Sequence, residues 1–334
     1  MPDSRRRALD HHSGRANLGP IIPKADHNYV AFFLTLSCNL KCPYCINLHD
    51  HVHRIDQARR KMMTADEWIS AADRLTLRDD LPLTLQGGEP TLHKGFFRIV
   101  NEVKPEIKMD LMTNMMFDVR QFIENVPTWR FDRQAPYAPI RVSYHPGQND
   151  IEDLIRKTFK LQDAGFRVGL YGIAHPDATI AKHIQDVQAR CLKLGIDFRT
   201  KEFLGFHEDK LYGTFKYDGS INGAAHCACE CRTTEIIVDP SGNVFRCHSD
   251  LYKGRLPIAH ILDADFNEES IDVFRSCQNF GDCNPCDVKV KTNRHQIFGH
   301  TSVEIRDIRN TKDDGTIKSS TVPLNVIPAQ AGNQ

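Results

Sequence analysis

Six short apolar runs alternate with helix-like segments between residues 31 and 203, and few folds accept that order. The first run, Ala31-Phe32-Phe33-Leu34-Thr35-Leu36, reads as a strand buried on both faces. Thr64-Ala65-Asp66-Glu67 is a capping box, opening a helix through Trp68, Ile69, Ala72 and Leu75. Strand-like runs then recur at Leu81–Leu85, Ile107–Met112, Ile140–Tyr144, Arg167–Ile173 and Ile196–Phe203. The segments between them carry helical periodicity. In the clearest, Ile151, Leu154, Ile155, Thr158 and Leu161 share one face and Gly165 stops the turn. Strands alternating with helices predict a parallel sheet with helices outside, and catalytic loops at the carboxyl ends of the strands.

Such a strand end carries the most distinctive chemistry. Cys38, Cys42 and Cys45 follow the first run on one short loop. Three thiolates so spaced suit three irons of a cubane cluster and leave the fourth iron open, because no fourth ligand follows within the loop. His49, His51 and His53 come soon after and are candidates for a lid or a substrate contact. The chain has eleven cysteines. Three are these, Cys191 stands alone on a helix face, and the other seven fall between residues 227 and 286. No signal peptide or membrane-length apolar run precedes them, so the expected setting is a reducing cytoplasm and the expected use is metal binding. Forty-three basic residues balance forty-three acidic ones, which argues against nucleic acid and anionic membranes as partners. Arg5-Arg6-Arg7 and His11-His12 fall in a polar first segment, read as a solvated arm.

The three-then-two cysteine spacing resembles the signature of the radical S-adenosylmethionine (SAM) enzymes. The resemblance covers about residues 28–290. Gly87-Gly88-Glu89-Pro90, after the second strand, matches the family's stretch that contacts the methionine amino group of SAM. Tyr44 stands where an aromatic residue packs near the adenine. Thr113 and Asn114, Ser143 and His145, and Gly172, Ile173 and Ala174 stand at further strand ends where the family holds the cofactor. Lys201 and Glu202 end the sixth strand, within reach of SAM or substrate. The resemblance implies an α/β fold, a partial (β/α)6 TIM-like barrel with an apolar floor, joined to a small C-terminal α+β iron–sulfur domain. It implies two cofactors, a [4Fe–4S] cluster and SAM.

The second cysteine group has the form of a hairpin, Ile236-Ile237-Val238 and Asn243-Val244-Phe245 about Asp239–Gly242, flanked by Cys231 and Cys247 and followed by Cys283-x-x-Cys286. This resembles the short auxiliary-cluster (twitch, or SPASM-like) domain of radical SAM enzymes. On that resemblance Cys231, Cys247, Cys283 and Cys286 hold a second, auxiliary [4Fe–4S] cluster; a structural four-cysteine zinc site is the alternative. Cys227, Cys229 and Cys277 are then surplus, and Cys227 or Cys229 is a candidate hydrogen-atom donor. His248 and Asp250 are candidates for supporting the cluster or contacting substrate, and Tyr212, Lys216 and Tyr217 for lining the cleft.

The expected organisation is an arm (1–27), a barrel (28–205), an auxiliary domain (206–300) and a largely disordered tail (301–334). The expected enzyme draws electrons from an external flavodoxin- or ferredoxin-type donor. It takes a hydrogen atom from a C–H bond of a small molecule, a sugar, aminocyclitol or nucleoside, with oxidation or epimerisation as the outcome. A ribosomal peptide is the runner-up substrate. A non-catalytic zinc or RNA-binding protein is the reading from another class.

Overall fold

The computed structural model describes residues 18–46, 61–221, 227–292 and 298–306. The expected lid histidines His49, His51 and His53, the first seventeen residues of the arm and the tail beyond 306 lie outside the described residues. The six expected strands are present as β1 (Tyr29–Thr35), β2 (Leu83–Gly87), β3 (Met109–Thr113), β4 (Ile140–Ser143), β5 (Val168–Ala174) and β6 (Asp197–Glu202). Each pairs in parallel with the next. Between them run α1 (Ala65–Asp73), α2 (Phe96–Glu102), α3 (Val119–Asn125), α4 (Ile151–Asp163) and α5 (Ala178–Lys193). Local signals set these ends. Thr64 and Glu67 close the capping box on α1, Asp150 accepts from two amides at the start of α4, and Gly165, at φ +92°, follows its end. The result is a partial (β/α)6 barrel.

Alternate residues of each strand face opposite ways, and the two faces differ in chemistry. Val30, Phe32, Leu34, Leu83, Leu85, Met109, Leu111, Ile140, Val142, Val168 and Leu170 join one core with the helices. The Phe32 and Trp68 rings meet at 4.8 Å in that layer. Each such side chain contributes roughly 2 kcal/mol on burial, so the helix side secures the strands. The opposite face carries Thr84, Gln86, Asp110, Arg141, Ser143, Tyr171, Arg199 and Lys201. From β2 to β6 this face is therefore largely polar, contrary to expectation, while on β1 Ala31 and Phe33 pack with Ile237 and Phe245. Asp110, fully buried, accepts from Arg133 Nε (2.7 Å), Arg133 Nη2 (2.9 Å) and Arg141 Nη2 (3.2 Å). The buried carboxylate is thus paired with two guanidinium groups.

After β6 come the hairpin β7 (Gly205–His207) and β8 (Lys210–Tyr212), then β9 (Cys227–Thr233), β10 (Glu235–Val238), β11 (Asn243–Phe245), β12 (Ala259–His260), β13 (Arg275–Phe280) and β14 (Val303–Arg306). Three short helices join them: α6 (His248–Lys253), α7 (Glu268–Ile271) and α8 (Pro285–Val288). β10 pairs in parallel with β1, and β11 and β12 extend that edge antiparallel, so nine strands form one sheet in the order β12-β11-β10-β1-β2-β3-β4-β5-β6. The chain thus returns to the barrel sheet after residue 206. A separate three-stranded sheet, β13-β9-β14, carries Cys229, Cys231 and Cys277. Its β14 starts two residues into the stretch expected as tail. From the expected arm, Ile21 is fully buried and bridges to Leu75. Among the described residues no helix is long and apolar enough to cross a membrane.

Candidate active site

The loop after β1 is fastened on two sides. Asn114, at the end of β3, donates its Nδ2 to Asn39 Oδ1 at 2.7 Å and reaches Cys38 Sγ at 3.7 Å. The Lys41 amide donates to Gln148 Oε1, beyond β4, at 3.0 Å. Cys38 is exposed, Cys45 half-buried and Cys42 buried. Burial, and then the nearness of Cys45 and Cys38, pushes the Cys42 thiol up to about 12. A bound cation stabilises thiolates gathered on one loop, and this donor set fits an iron cluster.

Gly87 and Gly88 are required by the backbone beside them. A Cβ on Gly87 would lie 2.0 Å from the Thr35 carbonyl oxygen, and one on Gly88 would lie 2.2 Å from that of Ser37. The Gly88 amide donates to Thr35 O and the Glu89 amide to Ser37 O, each at 2.8 Å. The glycine pair thus presses β2 against the root of the cysteine loop. The Glu89 side chain is fully buried and turned into the protein. It accepts from Thr91 N (3.2 Å), Thr91 Oγ1 (2.6 Å), Thr113 Oγ1 (2.8 Å) and Asn114 N (2.7 Å). Burial holds its carboxyl above the ordinary carboxylate range despite these donors. Glu89 therefore ties the end of β2 to the end of β3 and sets Asn114 against the cysteine loop. Pro90 is buried and starts the turn that follows.

Tyr44 lies between two histidines. Its ring centroid is 5.6 Å from that of His145 and 5.6 Å from that of His175, and its hydroxyl is 3.3 Å from His145 Nδ1. Burial, and then Lys201, lowers His145 to about 4, so its imidazole is neutral near pH 7. Ser143 is half-buried, and its carbonyl accepts from Asn149 Nδ2 at 2.9 Å. Gly172 faces the helices, where a Cβ would meet Phe198 and Ile184 at 3.1–3.2 Å. Ile173 points to the inner face, and Ala174 is exposed. Lys201 Nζ lies 5.1 Å over the Tyr171 ring. Burial, and then Arg141, lowers it to about 8. Among the described residues no carboxylate pairs with it. Glu202 is engaged elsewhere, accepting from Thr214 N at 3.0 Å.

The C-terminal cysteines gather differently. Cys231, Cys247, Cys277 and Cys283 line one pocket with Arg246 and Asp287; Cys286 is not part of its wall. Sulfur atoms of Cys229, Cys231 and Cys277 lie within 4.8 Å of one another. Cys229 is buried in a small core with Cys231 and Val303. Of Cys227 only the strand position is described. Cys247 caps α6, accepting from Asp250 N at 3.3 Å. Asp287, on α8, accepts from His248 N (2.9 Å), His248 Nδ1 (2.8 Å) and Ser249 N (3.2 Å), which locks α6 to α8. Asp250 binds Arg246 and Arg255. His248 and Asp250 thus frame the pocket through protein partners. Tyr217 accepts from Ile305 N at 3.1 Å, the Lys216 amide donates to Val288 O at 3.0 Å, and Tyr212 packs on Phe203. Cys191 is buried in the main core.

Sequence reasoning missed Asn39 and Gln148 as fasteners, the Asp110–Arg133–Arg141 network and the place of Cys277. A polar residue inside the cysteine loop was a signal for Asn39. For Cys277 there was none, since its neighbour Cys229 is reached only through antiparallel pairing.

Residues 32–187 match the family model described as Radical SAM superfamily. A stretch of 151 residues is 27% identical to GTP 3',8-cyclase of Actinobacillus succinogenes (strain ATCC 55618 / DSM 22257 / CCUG 43843 / 130Z), covering 42% of this chain and 42% of that protein. Molybdenum cofactor biosynthesis protein 1 of Drosophila melanogaster is 31% identical over 84 residues, covering 25% of this chain and 14% of that protein. The chain thus spans less than half the length of these curated relatives. Among solved structures, anSMEcpe with bound AdoMet and Kp18Cys peptide superposes with a TM-score of 0.48 at 13% identity, covering 75% of this chain and 80% of that one. SuiB of Streptococcus suis bound to precursor peptide SuiA gives 0.49 at 15% identity, covering 85% and 75%. Residues 32–187, with the three-cysteine loop at the end of β1, are thus similar to the radical SAM superfamily, whose cofactors are a [4Fe–4S] cluster and SAM.

Proposed function

We propose that Cys38, Cys42 and Cys45 hold a [4Fe–4S] cluster open to SAM, and that the chain takes a hydrogen atom from a small polar metabolite bearing an anionic group. The observation that carries the first part is the loop itself: three thiols on one short turn, fastened by Asn114 and Gln148 at the carboxyl ends of barrel strands. When bound, the two cofactors supply a radical able to take hydrogen from an unactivated C–H bond. Tyr44, between His145 and His175, gives an aromatic wall beside Cys45. Asn114, Ser143 and Ile173 give further strand-end contacts, and the backbone of Gly87–Pro90 lines the same rim.

Lys201 supports the substrate class. Its ammonium faces the barrel, is raised in energy by burial and by Arg141, and pairs with no carboxylate among the described residues. A substrate phosphate or carboxylate would satisfy it, with Arg141 already committed to Asp110. One similar protein is named for a reaction of GTP, itself a polyanionic metabolite.

Cys231, Cys247 and Cys283 suit the auxiliary cluster, with Arg246 beside them. Oxidation is the outcome this arrangement favours, because a second cluster offers an electron sink. Cys229 is a poor hydrogen donor, since its sulfur is buried against Cys231 at 3.6 Å.

The test is anaerobic reconstitution, iron and sulfide analysis, then incubation with SAM, a flavodoxin- or ferredoxin-type reductant and cell-extract fractions. The expected result is a brown protein that releases 5′-deoxyadenosine, with turnover stimulated by the anionic metabolite fraction. Stimulation only by peptides overturns the substrate class. A colourless zinc protein without 5′-deoxyadenosine release overturns the whole reading.

A further inference from the structure

The C-terminal pocket brings together one thiol more than the Cys-x-x-Cys pattern implies, and leaves out one that it requires. β9 and β13 pair antiparallel with Cys277 opposite Cys229 and Arg275 opposite Cys231. Residues directly opposite share a face, as do residues two apart on a strand. Cys229, Cys231 and Cys277 therefore project from one side of the small sheet, and their sulfurs lie within 4.8 Å. Opposite them, the start of α6 brings Cys247 and the entry to α8 brings Cys283, whose backbone N–H donates to Ser220 O at 2.9 Å. Four of these thiols form the pocket wall: Cys231, Cys247, Cys277 and Cys283.

Cys286 belongs to different surroundings. Burial acts first on its thiol, followed by Asp287, Lys289, Glu235 and Lys201. The corresponding groups for Cys283 include Cys277 and Cys229. Lys201 is a barrel residue on β6, and Glu235 starts β10. The backbone route is visible: Glu202 Oε1 accepts from Thr214 N at 3.0 Å, and Val290 N donates to Thr214 O at 2.8 Å. The segment that carries Cys286 and Lys289 is thereby tied to the end of β6.

We infer that Cys277, and not Cys286, is the fourth thiolate of the auxiliary cluster, with Cys231, Cys247 and Cys283 as the other three. This rests on the auxiliary-cluster reading above. Arg246 sits beside the four sulfurs, donates to Ser276 O at 2.7 Å and is held by Asp250. It offsets the charge that four thiolates bring to a buried site. Cys229 packs against Cys231 at 3.6 Å without lining the pocket. Cys286 is left on the barrel side with Lys201.

The experiment uses the full chain with Cys38, Cys42 and Cys45 all replaced by alanine, so that only auxiliary iron remains. Reconstituted anaerobically, this parent should hold about four irons with matching sulfide. Adding Cys286→Ala should leave that content unchanged. Adding Cys277→Ala should cut it several-fold. Loss of iron in the Cys286→Ala protein, or its retention in both, overturns the ligand assignment while the cluster reading stands. A parent without iron, or with one zinc and no sulfide, overturns both. If Cys277→Ala fails to fold, Cys277→Ser and Cys286→Ser are compared by electron paramagnetic resonance of the reduced cluster. An oxygen ligand should shift the spectrum at position 277 and leave it unchanged at 286; the reverse pattern overturns the assignment.

Discussion

The two cysteine regions differ in how their thiols are held. Cys38, Cys42 and Cys45 sit on a loop at a barrel rim, one exposed, and the fastening comes from polar side chains on neighbouring strand ends. Cys229, Cys231 and Cys277 sit on paired strands with sulfurs packed against one another, and helix starts close the opposite side. The first arrangement leaves room for an exchangeable ligand, and the second encloses what it binds. Openness here follows from the supporting element: a loop end exposes its side chains, whereas a strand face buries them.

The sharpest way to break this contrast is to remove one thiol from each region. Cys42→Ala should reduce 5′-deoxyadenosine release to background and leave auxiliary iron in place; release within tenfold of the parent would show that the rim site is not where SAM binds. Gly88→Ala should come next. Its Cβ would have to displace the Ser37 carbonyl at 2.2 Å, an overpacking worth about 1–3 kcal/mol, seen as a lower melting temperature and lost rim iron. Glu89→Ala strips the acceptor from four donors, two of them buried, at about 2–4 kcal/mol. Glu89→Gln should recover part of this, and equal losses would mean the latch acts through charge alone.

The smallest effect belongs to the barrel interior. Lys201→Met should raise KM for an anionic substrate by about tenfold or more, with SAM cleavage without substrate unchanged. Because Lys201 is lowered to about 8, the wild-type protein should bind such a substrate less well as pH rises through 8. The cation is present below that value and lost above it. A flat KM profile from pH 7 to 9 would remove Lys201 from substrate binding.

The barrel was legible because its signals are local. Caps at Thr64 and Asp150, the stop at Gly165 and the period of each strand lie within a few residues of the element they define. The Gly87–Pro90 motif was legible as a place but not as a structure. Its glycines answer to Thr35 and Ser37, and Glu89 answers to Thr113 and Asn114, contacts that only the assembled sheet creates. The polar floor was hidden for a related reason. Asp110 and Arg141 each stand in a mixed run, and their pairing joins two strands across thirty-one residues. The return of β10 to β1 spans more than two hundred residues and leaves no periodic trace.

That return has a further consequence. β1 carries the three-cysteine loop and is an interior strand only because Tyr29, Val30, Ala31 and Phe32 pair with Glu235, Ile236, Ile237 and Val238. A fragment ending at residue 205 would present β1 as a naked edge, with Ala31 and Phe33 stripped of Ile237 and Phe245. Unpaired apolar edges recruit other chains. Such a fragment should aggregate rather than behave as a free-standing module, although it would contain every residue of the family-matched stretch.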